Sequence, residues 1–129
     1  MSPEPKCPFC KPAADDILLQ NSMAYVREDK HPVTEGHLLI IPMRHFASYF
    51  ETTIEEKGKL WSLVEHAKKL LENKYKIDGF NIGINDGAAA GQTINHLHIH
   101  LIPRRKGDVE NPRGGVRHVI PGKGDYEKS

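Results

Sequence analysis

The sequence predicts a mixed fold: a sheet of short strands with one long helix packed on it. Three observations carry this expectation. Residues 95–102, NHLHIHLI, alternate polar and apolar, the period of a strand with one face in a core. Residues 53–75 instead repeat apolar side chains at helical spacing, with Leu60, Val64, Ala67 and Leu71 on one stripe. Shorter runs rich in apolar residues, at 17–20, 23–27, 36–42 and 80–85, are separated by turn residues or by the helix. At 129 residues the chain is long enough for one domain with a real core. No repeat or composition break divides it, so a single domain over 1–129 is expected, with loose tails at 1–6 and 121–129.

In chain order, Cys7-Pro8-Phe9-Cys10 comes first. A redox reading of this CxxC needs a strand ahead of it, for which there is no room. A zinc site needs two further ligands from elsewhere. Asn21-Ser22 is a turn pair between the first two strands. The third, Gly36-His37-Leu38-Leu39-Ile40-Ile41-Pro42, is almost wholly apolar and so is expected at the centre of the sheet. His45 follows three residues after Pro42. Thr53 with Glu56 three residues on is a capping box that starts the helix, and Asp78-Gly79 is expected to end it. Lys68, Lys69 and Lys74 read as its solvated face. The fourth strand, 80–85, and the histidine strand are joined by a short connection and are expected to pair antiparallel.

That connection, Gly87-Ala88-Ala89-Ala90-Gly91-Gln92-Thr93, is a small-residue loop whose N–H groups can converge on an anion. It feeds His96, His98 and His100. A lone histidine on a strand is usually an ordinary polar residue. Three in strict alternation are a row of imidazoles along one face, about 13 Å from first to last. Neutral imidazole, with an ordinary pKa of about 6.5, is a competent nucleophile at neutral pH. One nitrogen attacks while the other gives its proton to an acceptor that fixes the tautomer. A neighbouring imidazole can donate to oxygens on which charge develops.

The run Gly91-Gln92-Thr93-Ile94-Asn95-His96-Leu97-His98-Ile99-His100-Leu101 resembles the signature of the histidine-triad family of nucleotide hydrolases and transferases, and residues 36–42 resemble its earlier segment. The resemblance covers most of residues 7–106. It implies an α+β fold, an antiparallel sheet of about five strands with one long and one short helix, and pairing as a homodimer. It also implies that His98 attacks the α-phosphorus of a purine nucleotide to give a covalent nucleotidyl-imidazole, which water hydrolyses. His100 and His37 would serve the phosphate or leaving group. Asp29 would hold the ribose hydroxyls, and Asn85, Gln92 and Thr93 would flank the phosphate. In the branch with an N-terminal CxxC, the first triad histidine is a zinc ligand. Here that set is Cys7, Cys10, His45 and His96, a closed Cys2His2 site of structural kind. No organic cofactor is implied.

Composition narrows the partners. Eighteen basic against seventeen acidic residues give no global field for nucleic acid, and no apolar run is long enough to span a membrane. With only two cysteines and a polar, proline-bearing start, a cytoplasmic protein is expected. A dinucleoside polyphosphate is the favoured substrate, because the tail lacks the tryptophan of the phosphoramidase branch and offers Arg113 or Arg117 for extra phosphates. The alternatives are an adenosine phosphoramidase, a nucleotide-binding module with little turnover, and a site in which His96, His98 and His100 share a catalytic metal.

Overall fold

Asn21 makes the first turn: its side-chain oxygen accepts from the N–H groups of Met23 and Ala24, both at 3.0 Å. This folds β1 (Leu19–Gln20) back on β2 (Ala24–Glu28). With β3 (Leu38–Pro42), β4 (Gly79–Gly83) and β5 (Ile99–Arg104) they form one antiparallel sheet in the order β1-β2-β3-β5-β4. The structure, a computed structural model, describes residues 6–126, so the expected tails lie partly outside the described residues. As the α+β expectation required, α1 (Ile54–Lys74) covers one face of the sheet. The short helices are 3-10 turns, the longest described being Gly115–Val119. No helix among the described residues is long and apolar enough to cross a membrane.

β3 is central because both of its faces are buried. Leu38 and Ile40 join Val26, Leu97, Ile99 and Leu101 in a core against Leu60, Leu63, Val64, Ala67 and Leu71 of α1. Leu39 and Ile41 face the other way and meet Phe9 and Tyr25 in a second, smaller core. That second core is closed by the N-terminal segment, which the sequence pattern did not place. It is also the face on which His100 stands, since His100 pairs with Leu39 in the ladder.

Two boundaries differ from expectation. The helix ends at Lys74, four residues before Asp78-Gly79, because Tyr75 turns extended (φ −131°, ψ 154°). Its ring and Ile77 then pack against the core that α1 covers. β5 begins only at Ile99, so His96 and His98 precede the ladder. Leu97 there gives its N–H to the Phe46 carbonyl at 2.7 Å.

Glu56 ties the start of α1 to the segment that carries His45. Its carboxylate caps the helix by accepting from the Thr53 N–H at 2.9 Å, and it receives Arg44 through Nε and Nη2 at 3.0 and 2.8 Å. The Arg44 guanidinium holds this buried carboxyl below its ordinary 4.5. Glu56→Ala is expected to lose a cap and leave Arg44 without that partner, about 2–3 kcal/mol in all. With the folded pKa depressed, the contribution is complete above the unfolded value and disappears as pH falls through the folded one. In urea unfolding, the gap between wild type and variant should therefore be widest at pH 6–7 and close progressively below pH 4. A gap that stays constant down to pH 2 would contradict this assignment.

Candidate active site and metal centre

Cys7, Cys10, His45 and His96 bring four donor atoms within 4.8 Å of one another. Cys7 and Cys10 come from the N-terminal loop, His45 from the turn after β3, and His96 from the bend before β5. His96 is completely buried, so it has left the exposed row that simple alternation predicts. Its Nε2–H donates to the Pro42 carbonyl at 2.7 Å, because a carbonyl can only accept. The Nδ1 lone pair is thereby turned toward the sulfurs, at 3.4 Å from Cys7 Sγ and 3.5 Å from Cys10 Sγ. His45 Nδ1 lies 3.2 Å from both Cys10 Sγ and His96 Nδ1. A tetrahedral zinc with thiolates at about 2.3 Å and imidazoles at about 2.05 Å would set sulfur and nitrogen about 3.6 Å apart and two nitrogens about 3.3 Å apart. The residues fit that ion in kind, number and spacing. A carbonyl behind one imidazole ligand supplies the usual outer support.

His98 sits one alternation further on, half-buried. Its Nδ1–H donates to the His96 carbonyl at 2.9 Å, so its Nε2 carries the lone pair. The ring lies between Phe9 and His100, with centroids 5.0 Å away on each side. Phe9 occupies the middle of the CxxC loop and also touches the His96 ring edge-on. It is held by the Tyr25 hydroxyl, which donates to its carbonyl at 2.6 Å, and Arg27 lies over its ring. Phe9, Leu39 and Ile94 form the apolar side of a 230 Å³ cleft that Asp29, Glu28 and Lys30 border on the polar side. That volume is below the range of about 300–1,000 Å³ for whole ligands and suits one flat ring system with its sugar at the rim. Phe9 was missed in the sequence; the available signal was an aromatic residue enclosed between the two cysteines of a candidate metal set.

Beyond His98, three side chains cluster. His37 Nε2 lies 2.9 Å from His100 Nδ1 and 3.4 Å from Asp29 Oδ2, and Asp29 Oδ2 is 3.9 Å from His100 Nδ1. The other Asp29 oxygen accepts from the His31 N–H at 2.8 Å. The Val33 N–H donates to His37 Nδ1 at 3.2 Å. Burial pushes His37 below its ordinary 6.5 against the pull of Asp29, and burial with the adjacent His98 and His37 brings His100 down to about 4. Both rings are neutral at pH 7. His100 Nε2 is buried and makes no hydrogen bond among the described residues.

The remaining predicted positions divide. Asn85 is exposed, two residues beyond Gly83, whose pairing with His100 is the last of the β4–β5 ladder. Thr93 lies on the rim beside Cys7 and His45. Gln92 is spent on its own loop: its oxygen accepts from the Gly87 N–H, and its amide donates to the Ala47 and Ile94 carbonyls. The loop is a 3-10 turn at Ala88–Ala90 that uses the N–H groups of Ala90, Gly91 and Gln92 internally. Most of the donors expected to cradle an anion are therefore committed. Arg117 donates to the Gly124 and Lys123 carbonyls, and Arg113 and Arg117 both lie over Tyr126, so these arginines brace the tail. A single ion shared by His96, His98 and His100 is not supported. The donor groups that converge among the described residues are the Cys2His2 set and Asp29 with His37 and His100, and His98 belongs to neither.

Comparison with known proteins agrees with this architecture. The profile of the HIT domain matches residues 11–107. The chain is 35% identical over 96 residues to a bis(5'-adenosyl)-triphosphatase of Dictyostelium discoideum, covering 74% of this chain and 64% of that protein. It is 32% identical over 97 residues to an asymmetrical bis(5'-nucleosyl)-tetraphosphatase of Schizosaccharomyces pombe, covering 75% and 53%. It thus spans less than two thirds of the length of these curated relatives. Among solved structures, a Zn-bound histidine triad family protein of Mycobacterium smegmatis superposes with a TM-score of 0.71 at 33% identity, over 80% of this chain and 78% of that one.

Proposed function

This chain belongs to the HIT domain family, and on that footing we propose that it is a nucleotide hydrolase that cleaves at the α-phosphate of a purine nucleotide, with dinucleoside polyphosphates as substrates. The observation that carries the proposal is the fixed tautomer of His98. With Nδ1–H bonded to the His96 carbonyl, the Nε2 lone pair is uncommitted among the described residues, and the ring packs on Phe9, which lines a cleft sized for a nucleoside. The base would lie against Phe9, Leu39 and Ile94, and the ribose hydroxyls would donate to Asp29 at the rim. Nε2 forms a bond to the α-phosphorus as the bond from phosphorus to the leaving oxygen breaks. Water then attacks the same phosphorus, the P–N bond breaks, and nucleoside monophosphate departs. The names of the relatives, a triphosphatase and a tetraphosphatase, favour the dinucleotide class.

Cys7, Cys10, His45 and His96 would hold zinc in a structural role, since all four positions around the ion are filled by protein. Pairing as a homodimer is part of the same proposal. β4 is a terminal strand of the sheet with Ile82 44% exposed, an edge that a second copy can extend. A cytoplasmic setting keeps Cys7 and Cys10 reduced.

The test is a substrate panel with purified protein: diadenosine triphosphate, diadenosine tetraphosphate and adenosine phosphoramidate, with products separated by chromatography. Adenosine monophosphate should appear fastest from a dinucleotide. Preference for the phosphoramidate would move the protein to that branch. Binding of adenosine monophosphate with no turnover of any of the three would reduce it to a binding module.

A further inference from the structure

His100 Nε2 is a buried nitrogen with no partner among the described residues, next to the proposed nucleophile. Whether it is a donor or an acceptor decides what it does to a phosphate. A lone pair there repels phosphoryl oxygens; an N–H stabilises them. The proton's position follows from a chain of hydrogen bonds that starts at the backbone. The Val33 N–H can only donate, so His37 Nδ1 is an acceptor. In a neutral ring the proton is then on Nε2. That Nε2–H points at His100 Nδ1, 2.9 Å away. His100 Nδ1 is therefore also an acceptor, and its own proton is on the buried Nε2.

We propose that His37 is a positioning residue that acts through His100: the Val33 N–H fixes the His37 tautomer, His37 fixes that of His100, and the His100 Nε2–H is thereby presented as a permanent neutral donor to the oxygens of a phosphoryl group held at His98. His37 itself need not touch substrate. This differs from the direct phosphate or leaving-group role expected from the sequence. Asp29 steadies the chain electrostatically, with Oδ2 3.4 Å from the shared His37 Nε2. A carboxylate beside that nitrogen favours a proton on it. Burial keeps both rings uncharged at neutral pH, so the tautomer and not the charge determines which nitrogen donates. The titratable groups facing His100 are His98 on its own segment, His37 just ahead of β3 and Asp29 from the loop after β2. Gly83, opposite it on β4, adds none.

The inference rests on the hydrolase reading for its consequence and not for its geometry, so it has two separate readouts. The first is nitrogen-15 NMR of the imidazoles in ligand-free protein at pH 7.5. Wild type should show His37 and His100 as Nε2–H tautomers. His37→Ala should move His100 toward Nδ1–H or a mixture, and Val33→Pro, which removes only the first donor, should mix the His37 tautomers. Wild-type His100 in the Nδ1–H form would overturn the proposal, whatever the substrate. The second is kinetic. His37→Ala should lower kcat about 10- to 100-fold, part of the value of one lost transition-state donor, with KM changed less than about threefold. His37→Gln, whose amide can accept from Val33 and donate to His100, should recover most of the rate. A His37→Ala loss that His37→Gln does not recover, or a KM effect alone, would refute the relay. If His37→Ala fails to fold, Val33→Pro carries both readouts, since the Val33 side chain is exposed and its N–H is the donor to His37. Absence of turnover in wild type would remove the hydrolase reading and leave the NMR result standing.

Discussion

His98→Ala is expected to lower turnover by about 10⁴-fold or more and to leave no nucleotide attached to the protein. The size follows from the proposed chemistry, in which the ring supplies the atom that bonds to phosphorus. Neither neighbour can substitute for it. His96 has its Nδ1 directed at Cys7 and Cys10 and its Nε2 at the Pro42 carbonyl. His100 has Nδ1 engaged with His37 and, on the tautomer argued above, a proton on Nε2. The fold should survive, because His98 is only half-buried and belongs to neither core. What it contributes to stability is one hydrogen bond to the His96 carbonyl and its packing on Phe9, about 1 kcal/mol. The experiment is a short reaction with nucleotide labelled at the α-phosphate, stopped in alkaline denaturant, since phosphorus bonded to imidazole nitrogen is lost in acid. Wild type should retain label and the variant none, with melting within a few degrees of wild type. Normal turnover in His98→Ala would end the covalent mechanism.

The parts of the fold that the sequence disclosed are those in which a side chain's fate depends on its neighbours along the chain. Leu97, Ile99 and Leu101 are all buried against α1, as their alternation required, and Thr53 with Glu56 forms the capping box on both sides. Leu39 and Ile41 announced a second covered face by making β3 apolar throughout. What covers it was not legible, because Phe9 reaches Tyr25 across sixteen positions of sequence. His96 shows the same limit. Alternation puts it in an exposed row, but the β3–β5 pairing recorded in the ladder stops at Ile40 and Ile99. Beyond that point Leu97 bonds to Phe46 instead, and His96 is free to turn inward to the cysteines. Its assignment to the metal set came from the resemblance, which periodicity does not see. The loop at 87–92 was ambiguous for a different reason. Glycine and alanine permit both an anion-binding nest and a self-closing turn, and Gln92, by bonding to the Gly87 N–H and the Ala47 carbonyl, selects the turn. The pairing of His37 with His100 needed the register of two strands that are more than sixty residues apart in the chain.

Cys7→Ser is expected to lower the melting temperature by about 10 °C, and to weaken nucleotide binding by a smaller free energy. The two effects separate because the metal loop has two sets of anchors. Zinc would bind it to His45 and His96, and a hydroxyl does not replace a thiolate in that role. Losing the fourth ligand leaves a completely buried His96 with its Nδ1 lone pair aimed at a depleted site. Only part of the roughly 10–16 kcal/mol of a structural zinc site is at stake when three ligands remain. A loss of about 3 kcal/mol corresponds, for a chain of this size, to a shift of about 10 °C. Phe9 keeps its second set of anchors, the Tyr25 hydroxyl on its carbonyl and Arg27 beneath its ring, with Arg27 also donating to the Pro8 carbonyl. The cleft should therefore loosen without collapsing, and affinity for adenosine monophosphate should fall about 10-fold or less, equivalent to about 1.4 kcal/mol. Calorimetry of unfolding and of nucleotide binding, with elemental analysis of both proteins, measures each quantity separately. Wild type should carry one zinc per chain and the variant substantially less. A metal-free wild type whose melting the substitution does not alter would remove zinc from the site. An affinity loss larger in free energy than the stability loss would instead mean that the ion, and not Tyr25 and Arg27, holds Phe9 in the nucleotide cleft.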